Sequence, residues 1–122
     1  MQLPSLRILY VEDNQLVRDI TCELMSQPSR HIVAVATAEE ALSVFDPDAF
    51  DVVITDISLP AMSGLDLTRH ILQRVPTAPI IIATGYDLHV DVRSWGPHVR
   101  AITKPFDPPQ LEDLLREVCA PV

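Results

Sequence analysis

Four short apolar runs in this chain each end in a polar residue suited to phosphate or metal chemistry. Ile8–Val11 ends in Glu12 and Asp13, and Val52–Ile54 ends in Thr55 and Asp56. Residues 79–83 end in Thr84, and residues 99–102 end in Thr103 and Lys104. If the runs are parallel strands, three carboxylates, a hydroxyl and an ammonium converge at one sheet edge. Carboxylates crowded together repel, and some would take up protons. A hard divalent cation removes that conflict, and magnesium, which keeps several waters, can be held by one or two carboxylates. Such a site would be weak and open. Lys104 could pair with a carboxylate and then with a phosphoryl oxygen, and Thr84 could donate to an anionic oxygen. Asp56, ending the central run, is the candidate nucleophile, and a carboxylate attacking phosphorus gives an aspartyl phosphate. Each part alone has a plainer reading: a solvated acidic rim, a surface lysine beside a turn proline, a threonine capping a turn. A cis Lys104–Pro105 bond is one way to aim the ammonium, because X-Pro bonds tolerate cis.

The elements that must position these groups alternate strand and helix five times. Arg7–Val11 reads as a buried strand, followed by a helix over residues 15–26 with Leu16, Ile20 and Leu24 on its core face. His31–Ala36 is the second strand. Thr37 opens a capping box with Glu40, and Ala38, Ala41, Leu42 and Phe45 form the buried stripe of the helix that follows. Asp51–Thr55 is the third strand. A helix from about Leu65 to Val75 buries Leu67, Ile71 and Leu72. Ile80–Ala83, apolar throughout, reads as a strand covered on both faces. Asp87–Trp95 carries a weak helical pattern closed by Gly96-Pro97. Val99–Thr103 is the fifth strand, and Pro108-Pro109 opens a helix with Leu111, Leu114, Leu115 and Val118 in its stripe. Repeated strand-helix units predict an α/β doubly wound parallel sheet with helices on both faces and a ligand site at the carboxyl ends of its strands.

The 122 residues suit one domain over 1–122 with a core at about 6–119, and leave no room for a second folded module. A net charge of −8 argues against a nucleic-acid surface and against an anionic membrane. Cys22 and Cys119 lack metal-ligand neighbours and read as reduced, structural thiols. With no membrane-length apolar run and no signal pattern at the start, a cytoplasmic location is expected. His31, His70, His89 and His98 fall on different elements and form no cluster.

Taken together, these residues resemble the receiver domain of two-component response regulators, possibly that of a hybrid histidine kinase. The motifs are Leu9–Asn14, then Asp56–Gly64, then Ala83-Thr84-Gly85, then Lys104-Pro105-Phe106. The resemblance implies a flavodoxin-like sheet of five parallel strands in the order 2-1-3-4-5, with five helices. It implies that Asp56 accepts a phosphoryl group from a phosphohistidine on a histidine kinase or histidine phosphotransfer domain. Magnesium or manganese would be held by Asp13, Asp56 and the backbone carbonyl of Ser58, with Glu12 acting mainly through water. Thr84 and Lys104 would hold the phosphoryl oxygens. The domain would not be an enzyme in its own right, but would assist its own phosphorylation and dephosphorylation, as a monomer or weak dimer.

The chain departs from the family pattern at Ala101, where an aromatic residue commonly stands three positions before the lysine. A ring-flip switch there is impossible. Tyr86 could substitute for it or only shield the site; with Ser58 it flanks the path of attacking water. Thr84-Gly85-Tyr86 without a switch aromatic is more like receivers that pass phosphate onward. The alternative function is a phosphorylation-independent interaction module of the same fold. A flavin carrier is disfavoured because Glu12-Asp13-Asn14 is acidic where a phosphate-binding loop is needed. A haloacid-type phosphatase would want an acid where Ser58 stands. On the first helix, Val17, Cys22 and Met25 lie partly off the expected core face and could meet a kinase helix.

Overall fold

The computed structural model describes residues 6–85 and 91–119. Five strands run β1 (Leu6–Val11), β2 (Arg30–Val35), β3 (Val52–Asp56), β4 (Ile80–Thr84) and β5 (Val99–Thr103). They form one parallel sheet in the order β2-β1-β3-β4-β5, as expected. The helices are α1 (Gln15–Met25), α2 (Ala38–Val44), α3 (Gly64–Arg74) and α4 (Pro108–Cys119).

Alternation along the strands splits the core in two. Leu9, Val11, Val53, Ile80 and Ile82 pack with Ala38, Ala41, Leu67 and Ile71 from α2 and α3. Ile8, Tyr10, Ile54, Ile81 and Ala83 face the other way, onto Met25 of α1 and Leu111, Leu115 and Val118 of α4. Every residue of β3 and β4 is buried, which is why these runs are apolar until their last residues. Arg30 of β2, its side chain 6% exposed, ion-pairs with Glu112 and donates to the carbonyl of Met25 at 3.1 Å. It thus ties the second strand to the ends of α1 and α4.

Three expectations are corrected. Among the described residues there are four α-helices, not five: the stretch before Gly96-Pro97 holds a single 3₁₀ turn, Val92–Ser94. Asp91 caps it by accepting from the amide of Arg93 at 3.0 Å, and Val92 anchors it in the core. The expected helix began at Asp87, and residues 86–90 lie outside the described set. Second, α1 is turned. Leu16, Ile20 and Leu24 are exposed, while Thr21 and Met25 are buried and Cys22 is partly so. Third, Thr37 accepts from the Glu40 amide at 3.1 Å, but the Glu40 carboxylate faces the Thr37 hydroxyl rather than its amide. The reciprocal capping box stands at α3, between Ser63 and Asp66.

Candidate functional site

Strand register assembles the site. Val11 is level with Thr55, Asp56 with Ala83, and Thr84 with Thr103. The ladder runs one residue past the strands. The amide of Glu12 donates to Val35 at 3.1 Å, that of Ile57 to Ala83 at 2.9 Å, and that of Lys104 to Thr84 at 2.7 Å. The backbone at these strand ends is thereby held in register by hydrogen bonds of the sheet.

The Lys104 ammonium lies 3.1 Å from Glu12 Oε1 and 3.1 Å from Asp56 Oδ2. Glu12 is only 2% exposed and Asp56 9%, whereas Asp13 is exposed. One carboxylate oxygen from each of Glu12, Asp13 and Asp56 falls within 4.8 Å of the others. Three carboxylates against one ammonium leave the cluster short of positive charge. Hard oxygen donors with an excess of negative charge are what a divalent cation requires, so the residues fit magnesium. Burial raises the pKa of Glu12 and repulsion from Asp56 adds to this, while the bond to Lys104 opposes it. For Lys104, burial lowers the pKa, but the hydrogen bonds to Asp56 and Glu12 outweigh it and hold the ammonium above its ordinary value.

The surrounding loops shape the cluster. Asn14 caps α1 by accepting from Val17, and its amide faces Glu12 Oε2 at 3.4 Å. Arg18 reaches back from α1 to the Glu12 carbonyl at 2.7 Å. The Ser58 amide faces Asp56 Oδ1 at 3.4 Å, and Ser58 itself is exposed. Thr84 is buried, 1% exposed, at the end of β4. Lys104–Pro105 is cis. Ala101 is exposed on β5, and Tyr86 lies outside the described residues.

Some neighbours were not anticipated from sequence. Gly64 ends the Asp56–Gly64 motif, and a β-carbon there would lie 2.1 Å from the Asp56 carbonyl oxygen. Ala61 has φ 61°, a left-handed conformation that costs an L-residue energy. Between α1 and the loop after β5 is a cavity of about 330 Å³, lined by Val17, Leu24, Phe106, Tyr10, Asp56 and Lys104, among others. Tyr10 is 4% exposed, and burial pushes its phenol up to about 12, with a hydrogen bond to Thr21 opposing the rise. Thr21, buried on α1, lines the same cavity as Tyr10 of β1.

Residues 8–116 match the family model described as the response regulator receiver domain. FleR, a response regulator protein of Pseudomonas aeruginosa, is 33% identical over 112 residues, covering 89% of this chain and 24% of FleR. The aerobic respiration control sensor protein ArcB of Escherichia coli is 36% identical over 76 residues, 62% of this chain and 10% of ArcB. The chain thus spans about a quarter or less of these relatives. Among solved structures, the response regulator TrrA of Thermotoga maritima in complex with Mg(2+)-BeF superposes with a TM-score of 0.81 at 28% identity. That match covers 93% of this chain and 98% of TrrA.

Proposed function

The chain belongs to the response regulator receiver domain family, and on that premise we propose that Asp56 takes a phosphoryl group from a phosphohistidine. The observation that carries this reading is the pairing of Asp56 Oδ2 with Lys104 Nζ at 3.1 Å beside Glu12 and Asp13. An Asp56 carboxylate oxygen attacks phosphorus, the P–N bond breaks, and its electron pair leaves with the imidazole. Lys104 moves from partner of two carboxylates to partner of a phosphoryl oxygen, and the Thr84 hydroxyl donates to another. Glu12 keeps the ammonium aimed while the phosphoryl group arrives. Magnesium, held by Asp13, Asp56 and the Ser58 carbonyl with Glu12 acting through water, would offset the charge of carboxylate and phosphoryl oxygens. The domain serves as a signalling element that assists its own loading and hydrolysis rather than as an enzyme with a separate substrate. Ser58, and Tyr86 by its sequence position, would tune the hydrolysis.

The partner is a histidine kinase or histidine phosphotransfer domain, met in the cytoplasm. What supports this is the exposed apolar side of α1 next to Asp56. Among the described residues no helix is long and apolar enough to cross a membrane. Incubation with acetyl phosphate and magnesium should add one phosphoryl group by intact mass, labile to acid, to alkali and to hydroxylamine as an acyl phosphate is. Asp56→Asn should abolish the gain. Retention of the same label in that variant would overturn the assignment.

A further inference from the structure

Residues 15–17, 19 and 20 of α1 are exposed, whereas Arg18 between them is half-buried. Among the described residues, no carboxylate lies at ion-pair distance from its guanidinium. Arg18 Nη1 instead donates to the backbone carbonyl of Glu12 at 2.7 Å. A hydrogen bond from an ionised donor is stronger than one between neutral groups.

What this bond holds follows from the peptide group. β1 ends at Val11, and the Glu12 amide, donating to Val35 at 3.1 Å, still belongs to the sheet. Asp13 lies beyond the strand and is exposed, so neither the sheet nor burial restrains it. The Glu12 carbonyl and the Asp13 amide share one planar unit. A fixed carbonyl therefore fixes the plane from which Asp13 projects. Asn14 closes the far end of the turn, with its amide 3.4 Å from Glu12 Oε2 and its side chain accepting from Val17 at 3.0 Å. Asp13 is also the exposed member of the three carboxylates gathered within 4.8 Å. Repulsion from Glu12 and Asp56 favours positions that carry it away into water.

We propose that Arg18 is a positioning residue for the metal, holding the Glu12–Asp13 peptide so that the Asp13 carboxylate stays turned toward Glu12 and Asp56. This rests on the reading of those three residues as a magnesium site. The charge of Arg18 works the other way. A guanidinium near a divalent cation repels it, so charge alone would make Arg18 weaken metal binding. Positioning strengthens binding, because a preformed ligand needs no ordering when the ion arrives. The two effects have opposite signs, and removal of Arg18 separates them.

The test compares wild type with Arg18→Met, which removes donor and charge but keeps a good helix former, and with Arg18→Lys, which keeps both charge and a donor. Manganese binding is followed by EPR of the free ion, with magnesium as competitor, at fixed ionic strength. Arg18→Met should bind both metals about tenfold more weakly, and Arg18→Lys should recover part of the loss. In labelling with acetyl phosphate, the magnesium concentration for half-maximal rate should rise by the same factor in Arg18→Met. The rate at saturating magnesium should stay near wild type, because the backbone beside Asp56 and Lys104 is held by the bonds of Ile57 to Ala83 and of Lys104 to Thr84. Metal binding in Arg18→Met as tight as in wild type, or tighter, overturns the proposal and leaves the metal site intact. A lower saturating rate with unchanged magnesium dependence overturns it as well. Wild-type protein that binds neither ion, or an Asp13→Asn variant that binds them as wild type does, overturns the metal reading itself and the proposal with it.

Discussion

Gly64 approaches Asp56 so closely that a β-carbon on it would lie 2.1 Å from the Asp56 carbonyl oxygen. The start of α3 is therefore pressed against the backbone of the candidate acceptor, and the Gly64 amide also donates to Ile57 at 3.0 Å. Gly64→Ala should push the end of β3 away from Lys104. We expect a loss of about 1–3 kcal/mol, as for other overpacked sites, read as a lower thermal midpoint. Labelling of Asp56 by acetyl phosphate should slow as well. A variant matching wild type in both would mean that α3 can shift without moving the site.

Ala61 is strained in the opposite sense. Its φ of 61° is tolerated by glycine at little cost, and the side chain is exposed, so little packing is lost on removing it. Ala61→Gly should stabilise the protein by up to about 1 kcal/mol, the strain relieved less the added freedom of the unfolded chain. The urea midpoint should rise with an unchanged slope. A lower midpoint would mean that the chain-entropy cost of glycine exceeds the strain.

The Arg30–Glu112 pair gives the fold an acid-sensitive element. Hydrogen bonding to Arg30 holds the Glu112 carboxyl below its ordinary 4.5, against the opposing effect of burial. A depressed carboxyl contributes stability above its unfolded pKa and loses it as pH falls through the folded value. Glu112 is 36% exposed, so solvent screening limits the contribution to roughly 1 kcal/mol. Glu112→Gln should lower the thermal midpoint at pH 7, and the gap from wild type should close as pH falls below 4.5. A gap that stays constant down to pH 3 would show that the charge contributes nothing.

How far the site was legible follows from which contacts a sequence encodes. Glu12, Asp56, Thr84 and Lys104 could be brought together on paper because a parallel sheet delivers every strand's carboxyl end to one edge. Their spacing needs no knowledge of side-chain packing. The facing of α1 was not legible in the same way. Leu16, Ile20 and Leu24 make an apolar stripe, and such a stripe serves a core or a partner equally well. What decides is contact across elements: α1 turns Thr21 and Met25, not its leucines, toward the sheet face that carries Tyr10. The capping box at Ser63 escaped notice because the usual pattern has Glu or Gln at its fourth position, where this chain has Asp66. The 3₁₀ turn at Val92 lies between Gly85 and Gly96-Pro97, too short a stretch for periodicity to separate a helix from a single turn.

Lys104 is the only lysine in the chain, which makes its titration directly observable. Reductive methylation with ¹³C-formaldehyde should give two signals by NMR, one from Lys104 and one from the amino terminus. Burial lowers the ammonium's pKa, but its bonds to Asp56 and Glu12 outweigh this, so it should titrate above its ordinary 10.5. A raised folded value means that the pairing contributes its full stability below the unfolded pKa and loses it as pH rises through the folded one. Glu12→Gln removes one of the two carboxylates and should move the Lys104 midpoint down, and Asp56→Asn should do the same. If magnesium draws those carboxylates to itself, adding it to wild type should also lower the midpoint, with little effect in Asp56→Asn. A Lys104 signal that titrates identically in all three proteins would break the link between ammonium, acceptor and metal site.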